Sequence, residues 1–183
     1  MANLRFSTVQ QVIDAFPILK DEFKDAELQR HPIEFVQQMI DKGQIRQVLA
    51  LCAFMLPKRE AVQWLCESLR QSGAVFTGNE DVMLKLAENW AHNPSEKHRG
   101  AALSAAMKSG FLTGPAWAAA AAGWSGGDIG NDPNNLVSPP PHLTGQAVKS
   151  AFTVAYWSLF GDDRDSQGRE AIKRALAMVV TGS

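Results

Sequence analysis

The chain has 183 residues, 45% of them hydrophobic and 20% charged, with 18 basic and 19 acidic side chains for a formal net charge of −1. That length suits one compact domain with a sizeable core, and five Trp and nine Phe exclude global disorder. With no basic excess there is no electrostatic footprint for nucleic acid or an anionic membrane. Cys52 and Cys66 both lie in apolar helical stretches and read as buried thiols rather than a disulfide framework. The N-terminal residues lack a charged segment followed by a long apolar run, and no stretch of about 18 apolar residues occurs. A cytoplasmic chain without a membrane span is expected.

Helix punctuation recurs along the sequence, and no sustained period-two alternation is present. Ser7 is placed to cap a helix over Thr8–Phe16, with Val9, Val12, Ile13 and Phe16 at helical spacing and Pro17 as the stop. Residues 20–30 are charge-rich and read as a short solvated helix or a loop. Pro32 suits a first helical position, and Ile33, Phe35, Val36, Met39 and Ile40 run from there to Gly43. Ile45–Leu56 is almost wholly apolar, which predicts a central helix. Pro57 starts the next, with Ala61, Val62, Trp64, Leu65 and Leu69 facing inward and Gly73 ending it. Asn79 opens a helix running through Trp90, with Glu80 and Asp81 near its positive end.

Asn93-Pro94-Ser95-Glu96 then supplies an Asn cap, a first-position Pro and a third-position Glu for a helix continuing to Gly110. Thr113-Gly114-Pro115 opens a short helix ending near Gly123. Residues 125–143 form a 19-residue stretch rich in Gly, Asn and Pro, longer than most loops, and the triproline at 139–141 favours extended geometry. Thr144 caps a helix through Phe160, and Ser166 caps the last through Val180. The expectation is all-α: a single-domain bundle of about eight helices with one long loop, residues 1–30 being set apart as a peripheral N-terminal segment.

Charge is unevenly spread. Residues 101–160 carry four charged side chains (Lys108, Asp128, Asp132 and Lys149) and the rest of the chain 33. Such helices must be covered, either as a central pair inside the monomer or by a partner meeting Trp117 or Trp124. Gly123-Trp124-Ser125-Gly126-Gly127 matches the G-x-S-x-G string of hydrolase nucleophile elbows, but an alanine-rich helix precedes it and a loop follows, the reverse of strand-turn-helix. Asp163-Arg-Asp165 resembles the start of a calcium loop, yet Arg174 stands where a bidentate Glu is needed. His31, His92, His98 and His142 have no metal-ligand spacing, and no phosphate-cradling glycine motif occurs. Arg59-Glu60 and Glu96-Lys97-His98-Arg99 read as solvated faces or as the polar rim of a protein-binding groove. No carboxylate pair sits in an apolar setting that would tune one of them into an acid. No cofactor, metal or catalytic residue is therefore expected.

Three stretches carry a resemblance: Pro57-Lys-Arg59-Glu60-Ala-Val-Gln-Trp64, Asn93-Pro94-Ser95-Glu96-Lys-His-Arg99, and Gly114-Pro115-Ala-Trp117 through Gly123-Trp124-Ser125-Gly126-Gly127. With Pro139-Pro140-Pro141 and Leu143-Thr144 behind them, their order over residues 30–180 is similar to an uncharacterised bacterial all-helical family. Its members are sometimes labelled twin-arginine pathway proteins, although this chain has only Arg5 near its N-terminus and no twin arginine. Genes of that family sit beside type VI secretion parts. The resemblance implies a non-enzymatic co-chaperone or adaptor that assists effector loading by binding an effector-loading adaptor, an effector or a spike-tip protein. Trp117 and Trp124 are the first anchor candidates, with Arg59, Glu60 and Trp64 second. An immunity protein against a neighbouring toxin is the alternative, and a serine hydrolase through Ser125 the third reading.

Overall fold

Prolines and glycines at the helix boundaries set the architecture. A computed structural model describes residues 5–24, 27–130 and 134–181, the last two of these by backbone alone. Among them run α1 (Val9–Ala15), α2 (Pro32–Asp41), α3 (Ile45–Met55), α4 (Lys58–Gln71), α5 (Gly78–His92), α6 (Glu96–Ser109), α7 (Gly114–Gly123), α8 (Leu143–Ser158) and α9 (Arg164–Thr181). Two 3-10 turns, Pro17–Glu22 and Gly161–Asp163, complete an all-helical molecule with no strand among the described residues. No described helix is long and apolar enough to cross a membrane.

Several caps fall one to three residues from where the sequence put them. Thr8, not Ser7, caps α1 by accepting from the Gln11 amide. Ser95, not Asn93, caps α6 by accepting from the His98 amide, while Asn93 closes α5. Thr77 precedes α5 in extended conformation, ahead of Asn79. Thr144 lies inside the first turn of α8, and Ser166 inside that of α9. Ser7 and Thr8, like Asn93 and Ser95, are both able to cap, whereas Thr77 before α5 and His142 before α8 make no side-chain cap bond.

At the centre stands α7, which packs against α4, α5, α6 and α8. Ala118 to Ala122 are all fully buried. A helix that is apolar on every side has no solvated face, so its neighbours must surround it. Small side chains allow close approach: a Cβ on Gly123 would lie 2.7 Å from Leu103 Cβ and 2.8 Å from its Cα, where α6 crosses. The other heavily buried helix is α3, flanked by α2, α4, α8 and α9. The N-terminal segment joins the same core: Val9, Val12 and Leu19 are fully buried, the Phe16 ring lies 5.2 Å from Phe54, and the Phe23 ring 6.0 Å from Phe35.

Candidate functional site

A seven-residue spacing on a helix returns to the same face after two turns. Trp117 and Trp124 therefore project together from the two ends of α7, with ring centroids 6.3 Å apart and edge-on. The third member of this corner comes from the turn before α7. Gly110 closes α6 in left-handed conformation (φ 72°), and Phe111 follows it there with φ 59°. A bulky residue in that region costs on the order of 1 kcal/mol or more. In return the Phe111 ring packs 5.3 Å from Trp117 and stacks 5.6 Å from Trp124 at 29°, contacts worth about 0.5–1.5 kcal/mol each. All three rings pack against the core yet are only partly buried, and Leu112 beside them is 79% exposed. No charged residue occurs from 111 to 127.

The far end of α7 is tied down by donors from three other helices. The last carbonyls of a helix lack intrahelical partners and carry its negative end. Arg99 Nη1 donates to Gly123 O at 2.6 Å, Thr144 Oγ1 to Trp124 O at 3.2 Å, and Lys58 Nζ to Ser125 O at 2.9 Å. Arg99 also donates through Nη2 to Asp128 O at 3.1 Å and through Nε to Glu96 Oε2 at 2.8 Å, its Nη2 meeting the other Glu96 oxygen. Hydrogen bonding to this guanidinium lowers the Glu96 carboxyl, and Glu96 in turn raises Arg99. Gly127, at φ 66°, lies against the guanidinium, and a Cβ there would sit 2.5 Å from Nε.

The following loop is fixed by Asp128. Its carboxylate accepts the Gly130 amide at 3.0 Å and the Val137 amide at 2.6 Å, while the Ile129 amide donates to Val137 O at 2.8 Å. The Val137 and Gly130 amides hold the Asp128 carboxyl below its ordinary range. Residues 131–133 of the long loop lie outside the described residues.

The remaining sequence candidates have other work. Trp64 is a correction: its side chain is fully buried, its ring lies 4.2 Å from Phe152, and its indole N–H donates to Ala171 O at 2.7 Å. No face of it is open to a partner. Arg59 is exposed, but its guanidinium donates to Ala91 O at 2.6 Å and to His92 O at 3.4 Å, holding the C-terminus of α5. Glu60 is half-buried in the first turn of α4. The start of α4 nonetheless borders the aromatic corner, because Lys58 reaches Ser125 O; burial pushes its ammonium down from its ordinary pKa.

Ser125 follows the end of α7 in a turn, so no strand delivers it as a nucleophile elbow requires. Among the described residues no group of three His, Cys, Asp or Glu is placed to hold a metal ion. Cys52 is buried, which pushes its thiol up to about 12, and burial raises Cys66 as well; neither is a ready nucleophile. Sequence reading missed Phe111, whose only signal is an apolar residue directly after the helix-ending Gly110. It also missed Asp128 as an organiser of the loop.

The profile of a family described as "Family of unknown function (DUF6931)" matches residues 35–179, from α2 into α9. No curated protein and no solved structure matches. The matched span covers well over half of the chain and includes α7, both of its tryptophans and the loop that follows, and the chain belongs to the DUF6931 family.

Proposed function

We propose that this protein is a non-enzymatic, protein-binding accessory of the type VI secretion system, a cytoplasmic co-chaperone or adaptor assisting effector loading. Its partner, an effector-loading adaptor, an effector or a spike-tip protein, is met at the aromatic corner of α7. The observation that carries the binding part is the Phe111–Trp117–Trp124 cluster, three partly buried rings in an uncharged segment. Aromatic side chains dominate interface energetics. Rings already locked by mutual stacking lose little freedom on binding. The left-handed Phe111 is the kind of local strain that accumulates where function needs a fixed geometry. The secretion context rests on the resemblance of the Pro57, Asn93 and Gly114 stretches and on nothing in the chemistry of the corner.

The test is affinity capture from the cytosol of the native host with the tagged full chain, the retained proteins being identified by mass spectrometry. Trp117→Ala and Trp124→Ala are run beside it, with far-UV circular dichroism to confirm folding. Expected is a secretion adaptor, effector or spike-tip protein on the wild type and its loss from a folded tryptophan variant. A captured partner outside that class contradicts the secretion reading, and capture untouched by both variants removes the corner as the interface.

A further inference from the structure

A second surface is built from residues far apart in the chain and carries a different chemistry. Trp157, in the last turn of α8, is 56% exposed. The Arg46 guanidinium, from the first turn of α3, lies 5.6 Å from its ring centroid, and that of Arg164, the first residue of α9, lies 5.0 Å away and 5.9 Å from Tyr156. Two cations over one exposed indole are held there by the ring's negative face. Among the described residues neither guanidinium makes an ion pair. Of the two carboxylates next to Arg164 in sequence, Asp165 accepts from the Tyr156 hydroxyl, and Asp163 ends the 3-10 turn before α9. Beside them a groove of about 310 Å³ runs between α3 and α8. Ala50 and Phe152, both buried, line it with Gln47 and Thr153, together with Arg46 and the Lys149–Glu22 pair. Lys149, Thr153 and Trp157 follow one another at four-residue spacing, so they share one stripe of α8.

We propose that this α3/α8 groove binds an acidic segment of a partner protein, a carboxylate being taken by Arg46 and Arg164 beside Trp157 while a neighbouring apolar side chain lies along Ala50 and Phe152. A planar guanidinium matches a carboxylate in a two-bond fork, and the attraction of the indole holds both guanidiniums close to its ring. A nucleic-acid strand fits worse despite the exposed indole. Glu22 lines the groove, Asp162 and Asp163 directly precede Arg164, and the whole chain is net negative. A phosphate backbone with a charge on every nucleotide is repelled there far more than a segment with one or two carboxylates. This surface shares no residue with the α7 corner.

The full chain, carrying ¹⁵N in its tryptophans, is titrated with three probes while the indole N–H resonances are followed by NMR. The probes are a 12-residue Gly/Ser peptide with one central Leu flanked by two Glu, the same peptide with Gln for Glu, and a 12-nucleotide oligothymidylate; Trp157→Phe assigns the resonance. Expected is a saturable shift of the Trp157 signal with the Glu peptide, weakened about tenfold or more with the Gln peptide. A similar loss is expected in the folded Arg46→Gln/Arg164→Gln protein, and Trp117→Ala leaves the titration unchanged. The proposal is overturned by no shift at Trp157, by equal binding of the Gln peptide, by full binding to the arginine variant, or by tighter binding of the oligothymidylate.

Discussion

Trp64 stands on the inward face of the amphipathic α4 and Trp117 and Trp124 on α7, which is apolar on every side, and they meet opposite fates. Around Trp64 the molecule is closed: Phe152 of α8 covers the ring, and the backbone of α9 takes the indole proton. Around Trp117 and Trp124 it stays partly open, with the rings packing on one another as well as on the core. Covering one indole completely makes it a stability element, and covering it in part leaves apolar area that a partner can still remove from water. The polar side chains differ in the same way, because Arg99, Lys58 and Thr144 spend their hydrogen bonds fixing the backbone that carries the open corner.

The comparison breaks most sharply at Trp64. Trp64→Ala is expected to cost about 3–5 kcal/mol in urea unfolding, and Trp64→Phe about 1–2 kcal/mol, since it removes the buried indole hydrogen bond to the Ala171 carbonyl. Next comes Arg99→Met, which keeps much of the buried stem and removes the donors to Gly123 O and Asp128 O. A loss of about 2–3 kcal/mol is expected, with amide exchange rising first at residues 128–130. Trp117→Ala and Trp124→Ala remove partly buried rings and are expected to cost only about 1–2 kcal/mol each, so a larger loss would make the corner part of the closed core.

The smallest effect is one of pH. The Asp128 carboxyl is held low by the Val137 and Gly130 amides, so its contribution is fully present above its ordinary unfolded value of about 3.9. That contribution is lost as pH falls through the lower folded value. Amide protection at Gly130 and Val137 is therefore expected to fall below about pH 4, while the Trp64 indole stays protected. Equal loss at both would place the loop and the core in one unit.

Helix number and order were largely legible because Pro32 and Thr113-Gly114-Pro115 restrict dihedrals locally, whatever packs on them later. Caps were less so: Asn93 and Ser95 are both competent, and the choice depends on where α5 ends. The fate of the tryptophans was not legible. The contact that closes Trp64 comes from Ala171, 107 residues further on, and no periodicity around residue 64 encodes it. Phe111 was hidden for a related reason. An apolar residue just ahead of a cap ordinarily packs onto the fourth helical position, which would pair Leu112 with Trp117. The left-handed Phe111 takes that place and turns Leu112 out to solvent. Arg99 was read as part of a solvated charge cluster because its partner Glu96 is visible at three-residue spacing, whereas Gly123 O and Asp128 O are distant in sequence.

The division between a closed and an open tryptophan site is tested most directly by measuring thermal unfolding and partner capture on the same three proteins: Trp64→Phe, Trp117→Ala and Trp124→Ala. Expected is a split pattern, in which Trp64→Phe lowers the Tm by about as much as either α7 variant yet retains the captured protein, while a folded α7 variant releases it. Capture lost with Trp64→Phe in its folded state, or retained by both α7 variants, would contradict the assignment of the corner as the binding face.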